Sequence, residues 1–145
     1  GIFEATIEKV VALAILMPIV ASMGGIAGMQ SLALVIRSQA LDQIGSSNSR
    51  LLIIKEASIG VLNGILWSSV VALAVYLWFN SIFLGIVIAS ALMINLIIGA
   101  ISGVSLPLIL SKLKIDPALA GGVILTTITD IVGFISLLGI ATLIM

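Results

Sequence analysis

The residues best suited to chemistry form a polar stripe near the C-terminal end of the sequence. Gly122, Thr126 and Asp130 recur at intervals of four, and Gly133 follows Asp130 by three. This spacing places them on one face of a helix. The stripe lies in a hydrophobic run, where a charge at mid-bilayer costs about 2.5–3.5 kcal/mol and usually faces a bundle interior or a water-filled path. We therefore expect Asp130 to lie beside a hydrated pathway.

The Asp130 carboxylate has two possible roles. It could accept a hydrogen bond from Ser, Thr or Asn on a neighbouring helix, with or without a proton of its own. Alternatively, it could recognise a cation, although one carboxylate cannot balance a divalent ion. In a symmetric dimer, two Asp130 side chains would meet at the twofold axis, and a divalent ion would relieve their repulsion. Mg²⁺ gives up its waters reluctantly, so such a site suits a largely hydrated ion.

The composition identifies the class of protein that holds this stripe. The chain has 145 residues, 61% hydrophobic and 8% charged, with a mean hydropathy of +1.42. A soluble domain of this size could not bury so much apolar surface. We predict an all-α membrane protein, a polytopic helical bundle, because a lipid-exposed backbone must satisfy its own hydrogen bonds.

The same composition excludes several functions. The net charge is zero with no basic patch, which argues against nucleic-acid binding. The sequence contains no Cys and no His, so metal ligands must be oxygens, which favour hard cations such as Mg²⁺, Ca²⁺ or Mn²⁺. With no nucleophile–base pair and no cofactor motif, an enzyme is not expected.

Four spans of sufficient length predict four transmembrane helices. Gly45-Ser46-Ser47-Asn48-Ser49 predicts a loop, Pro107 should kink or end the third helix, and Asp116-Pro117 predicts a helix start with Asp116 as the N-cap. The predicted helices span residues 5–40, 51–79, 82–110 and 117–145.

Two other polar residues occur within or beside these spans. Glu56 is expected to be a solvated or interfacial charge at the membrane edge. Asn95 is expected to form an interhelical hydrogen bond, with ion contact as the alternative.

The first helix is unusually rich in small residues. Gly24 and Gly28 form one small-xxx-small pair, and Ala21 and Gly25 form another. Such pairs allow another backbone, or an ion with its waters, to come close. Pro18 in the same helix cannot donate to the carbonyl of the residue four positions earlier.

The basic residues predict the orientation. Five of the six lie in or beside two loops on one side, which the positive-inside rule places in the cytoplasm. Both ends of the chain would then lie outside. The start, Gly1-Ile2-Phe3-Glu4, lacks an initiator Met and a signal peptide, so we expect a preceding span. The five are Arg37, Arg50, Lys55, Lys112 and Lys114, and the sixth is Lys9.

Two segments together resemble the membrane domain of the MgtE-type magnesium channels. The segment 18–31, PIVASMGGIAGMQS, followed by Arg37, is similar to the signature helix of that family. Asp116-Pro117-Ala118, with Thr126-Thr127-Ile128-Thr129-Asp130 and Gly133, is similar to its last transmembrane helix. Phe3-Glu4 is similar to the connection after its first span.

The resemblance implies a homodimeric Mg²⁺ channel or transporter in a prokaryotic cell membrane, with five helices per subunit. The pore would lie at the dimer interface, and its aspartate would be Asp130. The resemblance also implies that the pore is lined by residues of both motif helices. These are Gly24, Gly25 and Gly28, followed by Gln30, on the first motif helix, and Gly122 and Thr126 on the last.

This sequence departs from the family pattern in two ways. Ile26 stands where the family commonly has Asn after the Gly-Gly pair, which removes an amide. The family's first span and its cytoplasmic Mg²⁺-sensing domains are not in this sequence, so regulation would need another segment or chain. Two other functions stay open: a proton-coupled carrier or rotor-like subunit with Asp130 as its protonatable group, and a non-transporting membrane assembly subunit.

Overall fold

The four predicted helices are present in a computed structural model that describes residues 2–40 and 49–144. Every helix boundary lies within three residues of its prediction. Residues 45–48 of the predicted loop lie outside the described residues, and Ser49 begins the second helix. The helices are α1 (Ile2–Ala40), α2 (Ser49–Phe79), α3 (Ile82–Lys112) and α4 (Pro117–Ile144).

Side-chain caps fix the starts of α3 and α4. Ser81 Oγ accepts a hydrogen bond from the Leu84 backbone N–H at 3.3 Å. Asp116 Oδ1 accepts one from the Ala118 N–H at 3.0 Å, which confirms the predicted start of α4. Pro107 lies inside α3, which continues to Lys112, so of its two predicted effects, a kink or the end of the helix, the second is wrong.

The α3 helix is the central element of the bundle. It packs against each of the other three helices, and α1 also packs against α4. Half of its most apolar stretch is buried, compared with 28% or less in the other helices. The core therefore follows α3 along its length. Fully buried core side chains include Val20, Val87, Ile88, Leu92, Val104, Leu125 and Leu137.

The outer surface of the bundle is strongly apolar. Each helix is long and apolar enough to cross a membrane, and large apolar side chains cover the faces away from α3. Lipid contact removes the usual cost of exposing such side chains to water. The fold is the predicted all-α membrane bundle. Examples of the most exposed apolar residues are Leu51, Leu62, Leu77, Trp78, Leu119 and Leu143.

Candidate functional site

A groove between α1 and α4 contains the predicted aspartate. This α1–α4 groove has a volume of about 610 Å³ and is open along one side. Four of its lining residues carry polar side chains, and the rest of its wall is apolar or small. The groove therefore provides a polar strip in an otherwise apolar surface. Its lining residues are Pro18, Ala21, Ser22, Gly25, Ile26, Met29, Gln30, Ala33, Thr126 and Asp130.

The α4 wall of the groove presents Asp130 and Thr126 one helical turn apart. Both residues are exposed. The Thr126 hydroxyl donates its proton to the Gly122 carbonyl oxygen at 2.8 Å. Because that proton is committed to the backbone, the lone pairs of Thr126 Oγ1 are what remains to interact with a ligand. An oxygen acceptor beside a carboxylate suits a cation or the waters that a cation orients.

The α1 wall approaches α4 closely because its residues are small. A side-chain carbon added at Gly25 would lie 3.6 Å from Thr129 Oγ1. Thr129 is itself fully buried, and its hydroxyl donates to the Thr126 carbonyl oxygen at 3.1 Å. Gly25 therefore marks the floor of the groove, where the two helices meet.

The structure separates the predicted ion-contacting residues into three groups. Asp130, Thr126, Gly25 and Gln30 line the groove together. Gly122 lies at its edge, where an added side-chain carbon would be 3.5 Å from Cε of the groove residue Met29.

Gly28 is the exception among these residues. It is buried and faces away from the groove, since an added side-chain carbon would lie 2.9 Å from the Gly99 carbonyl oxygen and 2.9 Å from Leu125 Cδ1. Gly28 therefore packs α1 against α3 and α4 outside this groove, and an ion contact at Gly28 stays a prediction.

The two small-residue pairs of α1 thus face different partners. Ala21 and Gly25 line the groove, whereas Gly24 and Gly28 face α3. A side-chain carbon at Gly99 of α3 would lie 2.6 Å from the Gly24 carbonyl oxygen. The α1 and α3 backbones are therefore in direct contact at these glycines.

Asn95 connects α3 to α1 directly behind the groove. This fully buried residue donates from Nδ2 to the Val20 carbonyl oxygen at 2.8 Å, which confirms the predicted interhelical hydrogen bond. Its other side-chain atom, Oδ1, has no hydrogen-bond partner in the described part of the chain. Asn95 also contacts the Gly24 face, so it fixes α1 in position relative to α3.

Glu56 is buried in the bundle, contrary to the prediction of a solvated or interfacial charge at the membrane edge. It is only 4% exposed, and it accepts a hydrogen bond from Ser31 Oγ at 2.9 Å. A signal for this burial was present, since Glu56, Gly60 and Gly64 are spaced by four on α2. Both glycines pack on α3, so the face they share points inward.

The groove of one chain does not supply a complete divalent metal site. Within residues 2–40 and 49–144, no three acidic side chains come together as a metal-binding group. Asp130 is the one acidic residue among those that line the groove. A single carboxylate, hydroxyls and amides can orient a hydrated cation, but a second carboxylate must come from elsewhere to balance two positive charges.

Comparisons with known proteins agree with the resemblance seen in the sequence. The family model described as MgtE, divalent cation transporter, matches residues 17–140. The magnesium transporter MgtE of Bacillus subtilis is 41% identical over 140 residues, which cover 97% of this chain and 31% of that protein.

Two further proteins with the same name are similar over nearly the whole chain. The Thermus thermophilus protein is 32% identical over 143 residues, which cover 99% of this chain and 32% of that protein. The Enterococcus faecalis protein is 29% identical over 143 residues, with the same coverage of both chains. The chain therefore spans about a third of the length of these relatives.

Proposed function

The chain belongs to the MgtE family of divalent cation transporters, and from that membership we propose that it conducts Mg²⁺ across the cell membrane through a pore formed by two copies. The α1–α4 groove is half of that pore, and Asp130 from each copy recognises the ion. The observation that carries the proposal is the exposure of Asp130 in this groove. A carboxylate left facing lipid there would cost about 2.5–3.5 kcal/mol.

A dimer supplies the second carboxylate that one chain lacks for balancing a divalent cation. A twofold axis along the open side of the groove brings the two Asp130 carboxylates together. Without a cation these carboxylates repel each other, and a divalent ion neutralises both. The wide, apolar margin of the groove is suited to packing against the second copy rather than to exposure in a water-filled pore.

The size of the groove supports a hydrated ion. Mg²⁺ prefers octahedral coordination and keeps several of its waters. Six waters occupy about 180 Å³ at the roughly 30 Å³ that each takes in the liquid. The groove of one chain, at about 610 Å³, accommodates that volume. Asp130 and Thr126 would then accept hydrogen bonds from ion-bound waters.

Substitution of Asp130 by Asn tests the proposal with little change in shape. Each copy loses a charged acceptor, and hydrogen bonds to charged groups are worth about 1.5–3 kcal/mol. We expect Mg²⁺ flux in proteoliposomes to fall by about tenfold or more, while light scattering still reports a dimer. Asp116→Asn is the matched control, because Asn caps a helix as well as Asp and Asp116 lies outside the groove.

The flux assay, together with chemical labelling of Asp130, separates the alternative functions. Flux of Asp130→Asn equal to that of the wild type contradicts the assigned role of Asp130. Carbodiimide labelling of Asp130 that depends on pH but is unaffected by Mg²⁺ favours a proton-coupled carrier. A folded wild-type dimer without flux favours an assembly subunit.

A further inference from the structure

A second polar cavity lies among α1, α2 and α3, on the other side of Gln30 from the groove. This Glu56 cavity has a volume of about 220 Å³. Its polar lining residues are Gln30, Ser31, Glu56 and Asn63, and the other lining residues are apolar or glycine. At roughly 30 Å³ per water, the cavity can hold a cation together with several waters.

The Glu56 carboxylate has unused capacity to bind a ligand. An ionised carboxylate offers about four lone-pair sites, and the hydrogen bond from Ser31 Oγ uses one of them on Oε2. The described residues that line the cavity include no Lys or Arg. A buried carboxylate is costly unless an opposite charge compensates it, so the cavity is suited to a positively charged occupant.

The ligand set determines which cation fits. The side-chain atoms that can coordinate are the Glu56 carboxylate, the Ser31 hydroxyl and the amide oxygens of Gln30 and Asn63. All are oxygens, which bind hard cations such as Mg²⁺ and Mn²⁺. Asn63 and Glu56 lie seven residues apart on α2, which places them on the same side of that helix two turns apart.

The Glu56 cavity adjoins the proposed ion pathway. Gln30 lines both the cavity and the α1–α4 groove. A third space beside α1, lined in part by Gln30 and Asn63, adjoins both of them. A cation bound by Glu56 would therefore be separated from the groove by a single flexible amide side chain.

We propose that Glu56, with Ser31, Gln30 and Asn63, forms a second site beside the groove, which holds a hydrated hard cation such as Mg²⁺ or Mn²⁺ and balances one of its two charges. Its link to ion conduction rests on the proposed function of the groove, but binding at Glu56 does not. All four residues belong to one chain and surround one cavity, so this site is assembled without a second copy, whereas the proposed pore pairs two Asp130 side chains.

Direct binding of Mn²⁺ to the full chain in detergent tests the proposal. Electron paramagnetic resonance counts the bound Mn²⁺, and Mg²⁺ competition shows whether the natural ion shares the site. We expect Glu56→Gln to lose one bound Mn²⁺ per chain, whereas Asp130→Asn keeps that ion. Glu8→Gln is the matched control, because Glu8 is exposed on α1 and lines neither the groove nor the cavity.

The result that overturns the proposal is equal Mn²⁺ stoichiometry and affinity in Glu56→Gln and the wild type. If Glu56→Gln does not fold, Asn63→Ala decides, because it leaves the carboxylate and Ser31 in place. Loss of one neutral ligand, worth about 1 kcal/mol, should raise the Mn²⁺ Kd of this site by about fivefold. An unchanged Kd refutes the site. Because flux is measured separately, loss of the Glu56 site and failure of the proposed pore give different results.

Discussion

Replacing Gly99 by alanine tests the backbone contact that holds α1 against α3. The new side-chain carbon would lie 2.6 Å from the Gly24 carbonyl oxygen, whereas carbon–oxygen contacts settle at about 3.3–3.6 Å. The shortfall is at least about 0.7 Å, and both sides of the contact are backbone. The helices must therefore move apart, and overpacking of this kind costs about 1–3 kcal/mol.

Part of that cost is offset because alanine favours a helix over glycine by roughly 0.5–1 kcal/mol. We expect Gly99→Ala to lower the free energy of unfolding by about 1–2 kcal/mol, measured by SDS titration followed by circular dichroism. Gly139→Ala is the control, because an added carbon there meets nothing within 4 Å, and it should stabilise by up to about 1 kcal/mol. Equal stability of the two variants would refute the close contact.

Three further substitutions probe other contacts. Asn95→Ala removes the hydrogen bond to Val20 and leaves a buried gap, so we expect a loss of about 1–2 kcal/mol in the same unfolding assay, and an unchanged midpoint would contradict that contact. Asp116→Ala removes the cap on the Ala118 N–H and should cost about 1 kcal/mol, unlike Asp116→Asn. Ile26→Asn places an amide at a groove residue that is 60% exposed, and we expect faster Mg²⁺ flux in liposomes, with unchanged or slower flux counting against a role for this position.

Much of the fold was predictable because membrane helices follow simple rules. Continuous apolar runs determine the spans, and the pair Asp116-Pro117 correctly predicted Pro117 as the first residue of α4. Asp130 was identifiable as a candidate functional residue, because a carboxylate in an apolar run has few structural explanations. Its placement with Thr126 in one groove follows from their spacing on α4.

Other details were not predictable, because they depend on contacts between helices. Gly24–Gly28 and Ala21–Gly25 have the same spacing, so the sequence could not say which pair faced α3 and which faced the groove. The burial of Glu56 depends on its contact with Ser31, 25 residues earlier. Its position near the end of a span suggested exposure, whereas the glycines that follow it on α2 pack that face against α3.

The contact between α1 and α3 also limits how the groove can change width. Backbone atoms have no rotamers, so the Gly24–Gly99 contact cannot adjust by side-chain rotation, and α1 and α3 are held together at this point. The contacts of α1 with α4 include the ends of Leu32, Leu125 and Met29, which can change rotamer, as well as the close approach of Gly133 to the Ala21 backbone. A change in groove width would therefore cost less as a shear of α4 than as a separation of α1 from α3, and such a shear carries Asp130 with it.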